Sequence, residues 1–336
     1  MPANLSPEYK SAEAAYRRAR DPRERLERLR EMLSSIPKHK GTEHLQAEIK
    51  SRIKELTEEV AAPRKAGART GPALVVHPEG AAQVPLLGPP NVGKSLLHAR
   101  LTGSHAVVGT YPFTTRVPLP GMLPWEDVQI QLVDLPPISA ESMEAWMPGA
   151  LEQADAALLV VDLSEPDCIE QVDTIRHRLE EKRVTLLEAG PPPAAADALD
   201  EAFRTRLPTL LVANKSDRLA DPESELEAFM ELEGVGFPAL AVSAEKGAGL
   251  EAVGRRLFEM LGVVRVYTRV PGHAVDHAHP FTLRRGATVR DVAFLVHRGM
   301  ASALKHARLW GSAEFAGQQV SPEHPVRDRD VVELHW

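Results

Sequence analysis

Gly88-Pro89-Pro90-Asn91-Val92-Gly93-Lys94-Ser95 carries the strongest structural signal in the chain. It reads glycine, four residues, Gly-Lys-Ser. The apolar run Val84-Pro85-Leu86-Leu87 precedes it, and a helix-compatible run from Ser95 to Leu101 follows. A glycine-bearing turn between a strand and a helix start is a phosphate cradle. The glycines let the backbone wrap an anion with its N–H groups inward, and the helix N-terminus adds a positive dipole end. Pro90, Asn91, Val92, Gly93, Lys94, Ser95 and Leu96 are therefore the expected phosphate-binding set. Lys94 is expected to reach the β- and γ-phosphates and to act catalytically, and the Ser95 hydroxyl to ligate magnesium.

Three further segments lie downstream in a fixed order. The run Val128-Gln129-Ile130-Gln131-Leu132-Val133 ends in Asp134, expected as a magnesium ligand; a turn residue closing a strand is the plainer alternative. Leu210-Leu211-Val212-Ala213 leads into Asn214-Lys215-Ser216-Asp217. A carboxylate at Asp217 can accept from the N1 and N2 hydrogens of guanine, which adenine lacks, so it argues for GTP over ATP. Asn214 is suited to brace this loop, and the Lys215 stem to cover the base. Val242-Ser243-Ala244 ends another strand-like run, where a backbone N–H near Ser243 or Ala244 could meet the guanine oxygen. Before Asp134, Gly109-Thr110-Tyr111-Pro112-Phe113-Thr114-Thr115 offers a loop hydroxyl for magnesium. Either Thr114 or Thr115 could supply it, with Thr115 preferred as ligand and catalytic residue.

The 336-residue chain is long enough for two or three domains, and 43% hydrophobic with 26% charged residues is ordinary for a globular protein. Its net charge of −7 excludes a polycation, so any nucleic-acid surface must be local. Cys168 is the single cysteine, which excludes an internal disulfide or a cysteine zinc site and fits a reducing cytoplasm. No run approaches a membrane span and the N-terminus lacks a signal pattern, so no membrane association is expected.

Periodicity divides the chain into residues 1–66, 67–262 and 263–336. In the first part Leu26, Leu29, Leu33, Ile36 and then Leu45, Ile49, Ile53, Leu56 recur at three and four, interrupted at 37–41, and predict a helical hairpin and a linker. Its arginines, from Arg17 to Arg30, alternate with glutamates. They read as a solvated face laced with ion pairs, or as an RNA-facing surface together with Lys38-His39-Lys40. In the middle part, strand-like runs at 84–88, 128–133, 157–162, 208–213 and 238–242 alternate with helical segments. That pattern specifies an α/β fold with a mainly parallel sheet and helices on both faces. Residues 188–206 read as an insertion or loose loop. The last part predicts a small β-grasp-like α+β module. It has strands at 263–270, from Phe281 and at 331–334, and a helix starting at Thr288 with Val292, Leu295, Val296 and Met300 on one side. His273, His277 and His279 lie here without a carboxylate or cysteine at useful spacing, which disfavours a metal site.

With these residues in view, the chain resembles the Obg-like GTPases, within them the developmentally regulated GTP-binding proteins. The resemblance runs through Ile36 to His44, the phosphate loop, Tyr111-Pro112-Phe113-Thr114-Thr115 and the Asn214–Asp217 reader. At the C-terminus Val266-Tyr267-Thr268, Pro280-Phe281-Thr282-Leu283 and Arg308-Leu309-Trp310-Gly311-Ser312 resemble a TGS domain. The resemblance implies a P-loop G domain followed by a TGS domain, binding of GTP and GDP with magnesium, GTP hydrolysis at a slow intrinsic rate, and association with the ribosome, ribosomal RNA or a translation-related protein. It also makes Asn91 a candidate potassium ligand, as in some relatives; merely shaping the loop is the alternative.

The second switch departs from the usual Asp-x-x-Gly. Here it reads Asp134-Leu135-Pro136-Pro137, and Pro137 has no N–H to offer a γ-phosphate. Ile138 stands where many GTPases place a water-orienting glutamine, a substitution also met in Obg-like GTPases. These two residues keep open a second function, a nucleotide-holding RNA- or protein-binding module with little turnover.

Overall fold

The computed structural model describes residues 6–19, 22–37, 42–61, 76–104, 117–188, 203–297, 301 and 303–336. They fall into two compact units, Met1–Pro72 with Pro191–Thr205, and Ala73–Gly190 with Arg206–Trp336.

The first unit is helical: α1 (Pro7–Arg18), α2 (Pro22–Ser35) and α3 (Glu43–Ala61). The predicted hairpin is α2 with α3, and α1 is an addition. Its signal was Tyr9-Ala12-Tyr16, a three-and-four spacing whose side chains are all buried. Pro22 sets the start of α2, because a proline fits a first helical turn and turns the chain before it away from helix. The Ser6 hydroxyl accepts from Tyr9 N–H and donates to Ser35 carbonyl, both at 3.1 Å, so one side chain caps α1 and ties it to the end of α2. Leu29, Met32, Ile36, Leu45 and Ile49 complete the core with Phe203, which meets Tyr16 edge-on at 6.3 Å. The end of the supposed loose loop thus contributes a core aromatic. Arg28 pairs with Glu31 at 2.8 Å, and Arg25 lies over the Tyr16 ring. Lys38-His39-Lys40 lies outside the described residues.

The second unit begins with β1 (Gln83–Leu87), α4 (Lys94–Thr102), β2 (Leu119–Trp125), β3 (Val128–Asp134), α5 (Met147–Leu151) and β4 (Ala157–Asp162). It continues through α6 (Cys168–Glu181), β5 (Val184–Leu187), β6 (Thr205–Asn214), α7 (Pro222–Glu233), β7 (Ala239–Ala241) and α8 (Leu250–Leu261). The sheet order is β2-β3-β1-β4-β6-β5, with β7 also on β6. The pairs β1–β3, β1–β4, β4–β6 and β6–β7 are parallel, while β2–β3 is antiparallel. Alternation sends Val84, Leu86, Leu158 and Val160 to one core with α4 and α8. Leu87, Leu159, Val161 and Leu211 face the other, with α5, α6 and α7. Two covered faces explain why the strands read as continuous apolar runs. The strand β2 was not foreseen: Pro120, Gly121 and Pro124 hide it, and such residues are tolerated because it lies at the sheet edge.

The remaining elements are β8 (Val263–Thr268), β9 (Asp276–Arg284), α9 (Val289–Val296), β10 (His306–Trp310), β11 (Gln318–Val320) and β12 (Asp330–His335), in the order β11-β10-β12-β8-β9. The pair β12–β8 is parallel and the others antiparallel. The Asp291 carboxylate accepts from both the N–H and the hydroxyl of Thr288, which fixes the start of α9. That helix buries Val289, Val292 and Ala293, not the expected Leu295 and Val296, which are exposed. Among the described residues no helix is long and apolar enough to cross a membrane.

Candidate nucleotide-binding site

The phosphate loop joins the end of β1 to α4, and its backbone needs its glycines. Gly88 has φ +154, and a Cβ there would lie 2.4 Å from the Val160 carbonyl oxygen. Gly93 has φ +89, and a Cβ there would meet Asn214 Nδ2 at 2.5 Å. Asn91, exposed at the loop tip, is left-handed with φ 66, a conformation asparagine tolerates better than most residues. Val92 is buried, while Pro90 and Leu96 are half-buried. Lys94 opens α4 at 7% exposure. Its ammonium donates to the carbonyls of Gly88 at 2.9 Å and Pro89 at 2.7 Å, so it lies folded along its own loop. Burial lowers its pKa to about 8, against the pull of the Asp134 charge in the other direction.

Beside it the Ser95 hydroxyl donates to Asp134 Oδ2 at 2.5 Å. A hydroxyl and a buried carboxylate, both hard oxygen donors, suit magnesium. Beyond Asp134 the chain does not swing free. Leu135, Pro136, Pro137 and Ile138 are all buried, and Ile138 N–H donates to Gly88 carbonyl at 3.1 Å. Ile138 belongs to the apolar core under α5 and α6. It therefore does not occupy a water-orienting position, because its side chain points into packed hydrocarbon. Thr114 and Thr115 lie outside the described residues.

The segment Asn214–Asp217, the candidate guanine reader, leaves the end of β6. Asn214, 2% exposed, donates from Nδ2 to Val92 carbonyl at 2.8 Å and accepts Ala244 N–H on Oδ1 at 3.0 Å. It thereby ties the phosphate loop to the Ser243-Ala244 turn. Asp217 is exposed and accepts the Ser243 hydroxyl, a bond that holds its carboxyl below the usual range. At the expected cap the backbone donors of three residues are engaged within the protein. Val242 N–H goes to Ala213 carbonyl, Ser243 N–H to Ala248 carbonyl, and Ala244 N–H to Asn214. The strand end thus satisfies its own backbone groups, and the Ser243 hydroxyl is directed to Asp217.

Reasoning from sequence missed Asp162. It ends β4 in register with Asn214, is 1% exposed, and pairs with Lys215 Nζ at 2.7 Å. The signal was a carboxylate closing the run Ala157-Leu158-Leu159-Val160-Val161, one strand away from the reader. Loop, Asp134, Asp162 and reader all sit at the carboxyl ends of neighbouring parallel strands, where such sheets bind ligands.

Residues 83–189 match the family described as 50S ribosome-binding GTPase, and residues 264–335 match the TGS domain. The chain is 29% identical to an uncharacterised GTP-binding protein of Methanocaldococcus jannaschii over 93% of its length and 92% of the relative's. It is 27% identical to developmentally-regulated G-protein 2 of Arabidopsis thaliana, over 93% of its own length and 90% of that protein's. Among solved structures it is similar to the Schizosaccharomyces pombe YchF GTPase, with a TM-score of 0.51 at 13% identity, over 79% of this chain and 100% of that one. The chain therefore carries a GTPase domain followed by a TGS domain, and over most of its length it is similar to developmentally regulated GTP-binding proteins.

Proposed function

We propose that this protein binds GTP and GDP at the strand ends around Lys94 and Asp217, hydrolyses GTP slowly, and uses the two nucleotide states as a switch while associating with the ribosome, ribosomal RNA or a translation-related protein in the cytoplasm. The observation that carries the reading is the connected set of bonds from Val92 through Asn214 to Ala244, which holds phosphate loop and guanine reader as one frame. In this reading the N–H groups of Pro90–Leu96, proline excepted, face the phosphates, and Lys94 releases its loop carbonyls to meet them. Magnesium, held by Ser95, Asp134 and the switch-I hydroxyl of Thr115 or its neighbour Thr114, would supply positive charge at the phosphates. In this reading the Asn214–Asp217 loop and the Ser243-Ala244 turn enclose the base, and Asn91 either takes a potassium ion or only shapes the loop. The expected division into 1–66, 67–262 and 263–336 then assigns the chemistry to the middle part and partner contacts to the flanks.

The second reading, nucleotide held with little turnover, is favoured by one observation. The switch-II segment is buried and contains no residue after Asp134 that could orient water up to Ile138. Steady-state hydrolysis with and without ribosomal particles separates the two, since acceleration by particles supports the switch and no turnover in either supports the holder. Base choice is tested by Asp217→Asn. It should reduce the preference for GTP over ATP by about a hundredfold, because the amide cannot accept both guanine donors. Unchanged competition by ATP in the variant would remove the base-reading role.

A further inference from the structure

Lys215 carries an unusual combination of constraints. Its backbone is left-handed at φ 62, outside the region a lysine favours. Its side chain does not stand in solvent but reaches back to the end of β4, where Nζ meets Asp162 Oδ2 at 2.7 Å. Asp162 is in turn fixed from the other side. Its Oδ1 accepts the Ser164 N–H at 3.0 Å and the Ser164 hydroxyl at 2.6 Å. Register pairs Asp162 with Asn214, the residue before Lys215, so the carboxylate starts from a rigid strand position directly beside the reader. With Asp162 1% exposed and Lys215 21% exposed, removing either partner leaves the other charge largely shielded from water and without its pair.

The side chain's four methylenes consequently lie between the reader backbone and the end of β4. A stem held at both ends is a wall, whereas a free lysine stem is not. In the guanine-binding reading Asp217, held by the Ser243 hydroxyl, supplies the edge that reads the base, and the Lys215 stem a face for its ring.

We infer that Asp162 is a positioning residue for the guanine ring, acting through Lys215, and that it sets how long guanine nucleotide stays bound while Asp217 sets which base is chosen. The inference rests on the guanine-binding reading above and adds the residue that governs residence at that site. The role belongs to the carboxylate and not to the strand position, since an amide of the same shape keeps the Ser164 bonds and loses the ion pair.

The test uses the full chain, a fluorescent GDP and stopped-flow dissociation. Asp162→Asn should raise the dissociation rate about tenfold, and Lys215→Met should do the same. The double variant should be no worse than either single one, because both break one interaction. Ser164→Ala, which loosens the carboxylate without removing it, should give a smaller rise in the same direction. It remains informative if the Asp162 variant fails to fold. The rise should appear in the KM for GTP more than in kcat, and the ratio of GTP to ATP affinity should stay at the wild-type value. Additive effects of the two single variants, or dissociation within twofold of wild type in folded Asp162→Asn, would overturn the inference. Absence of guanine-nucleotide binding by the wild-type chain would instead sink the underlying reading.

Discussion

Lys94 shows how one side chain ties the site to pH. Burial disfavours its charge and lowers its pKa in the folded protein to about 8, against 10.5 for an ordinary lysine. Between those values the unfolded chain binds more protons than the folded one, so this group adds stability as pH rises through that window. Phosphate oxygens at the same ammonium would hold the proton on. Affinity for GDP is therefore expected to be flat up to about pH 8 and to fall above it, by up to about tenfold per pH unit. A titration between about pH 7 and pH 9 measures the slope. Lys94→Arg, whose guanidinium stays charged throughout, should bind more weakly but with a flat profile over that range. A wild-type slope that survives in the arginine variant would assign the pH dependence to another group.

At the scale of elements, much was legible and the exceptions have causes. The strands β1, β4 and β6 announced themselves by apolar runs because both faces of the sheet are covered, and β3 by the alternation of Val128, Ile130 and Leu132 with glutamines. The edge strand β2 stayed hidden behind Pro120, Gly121 and Pro124, since alternation and β-propensity both fail there. The residues Ser95, Asp134, Asn214 and Asp217 were legible because motif spacing encodes them. Asp162 was not, because its importance comes from strand register across β4 and β6, which no local pattern records. Phe203 was masked by the proline- and alanine-rich stretch before it. Switch II was half legible. Sequence marked Pro137 as lacking a donor, but only the fold reveals that the segment is packed and pinned by Ile138 N–H on Gly88 carbonyl. A glycine at 137 restores an N–H and loosens the backbone. Pro137→Gly should therefore raise the preference for GTP over GDP by about tenfold, the worth of a hydrogen bond to a charged group. Competition of the two nucleotides for a fluorescent analogue reads this ratio directly, and an equal ratio in both proteins would count against a γ-phosphate contact at this residue.

Over the whole molecule, charge is unevenly spread, and the join between the GTPase and TGS portions uses it. Residues 263–336 hold ten Lys and Arg against seven Asp and Glu, while residues 67–262 hold fifteen against twenty-nine. The two meet at Arg265 on β8, whose side chain is 5% exposed. It pairs with Asp328 at 2.7 Å on its own domain and with Glu126 and with Asp127, the latter at 2.8 Å, at the turn between β2 and β3. It also lies 4.9 Å over the Phe258 ring of α8. Tyr267 hydroxyl donates to Asp127, and Arg329 pairs with Glu126 at 2.8 Å. Burial pushes the Asp328 carboxyl up, but the bonds from Arg265 outweigh it and hold the group below its ordinary value. The Glu126 carboxyl is lowered by Arg265 and Arg329 in the same way. Groups with depressed folded values contribute stability above about pH 4 and lose it as pH falls through those values, so the join should hold at neutral pH and open in acid. The hairpin it grips runs at its far end into Asp134, so the TGS portion is fastened to the strand that carries the candidate magnesium carboxylate. Arg265→Met keeps an apolar stem over Phe258 but leaves Asp127 and Asp328 without their guanidinium partner, which weakens the join. The wild-type GTPase and TGS portions should unfold together in urea at neutral pH, followed by tryptophan fluorescence and circular dichroism. In Arg265→Met the single transition should divide, with the TGS portion melting first. A variant that keeps one transition at the wild-type midpoint would show that Arg265 fills the join without coupling the two domains.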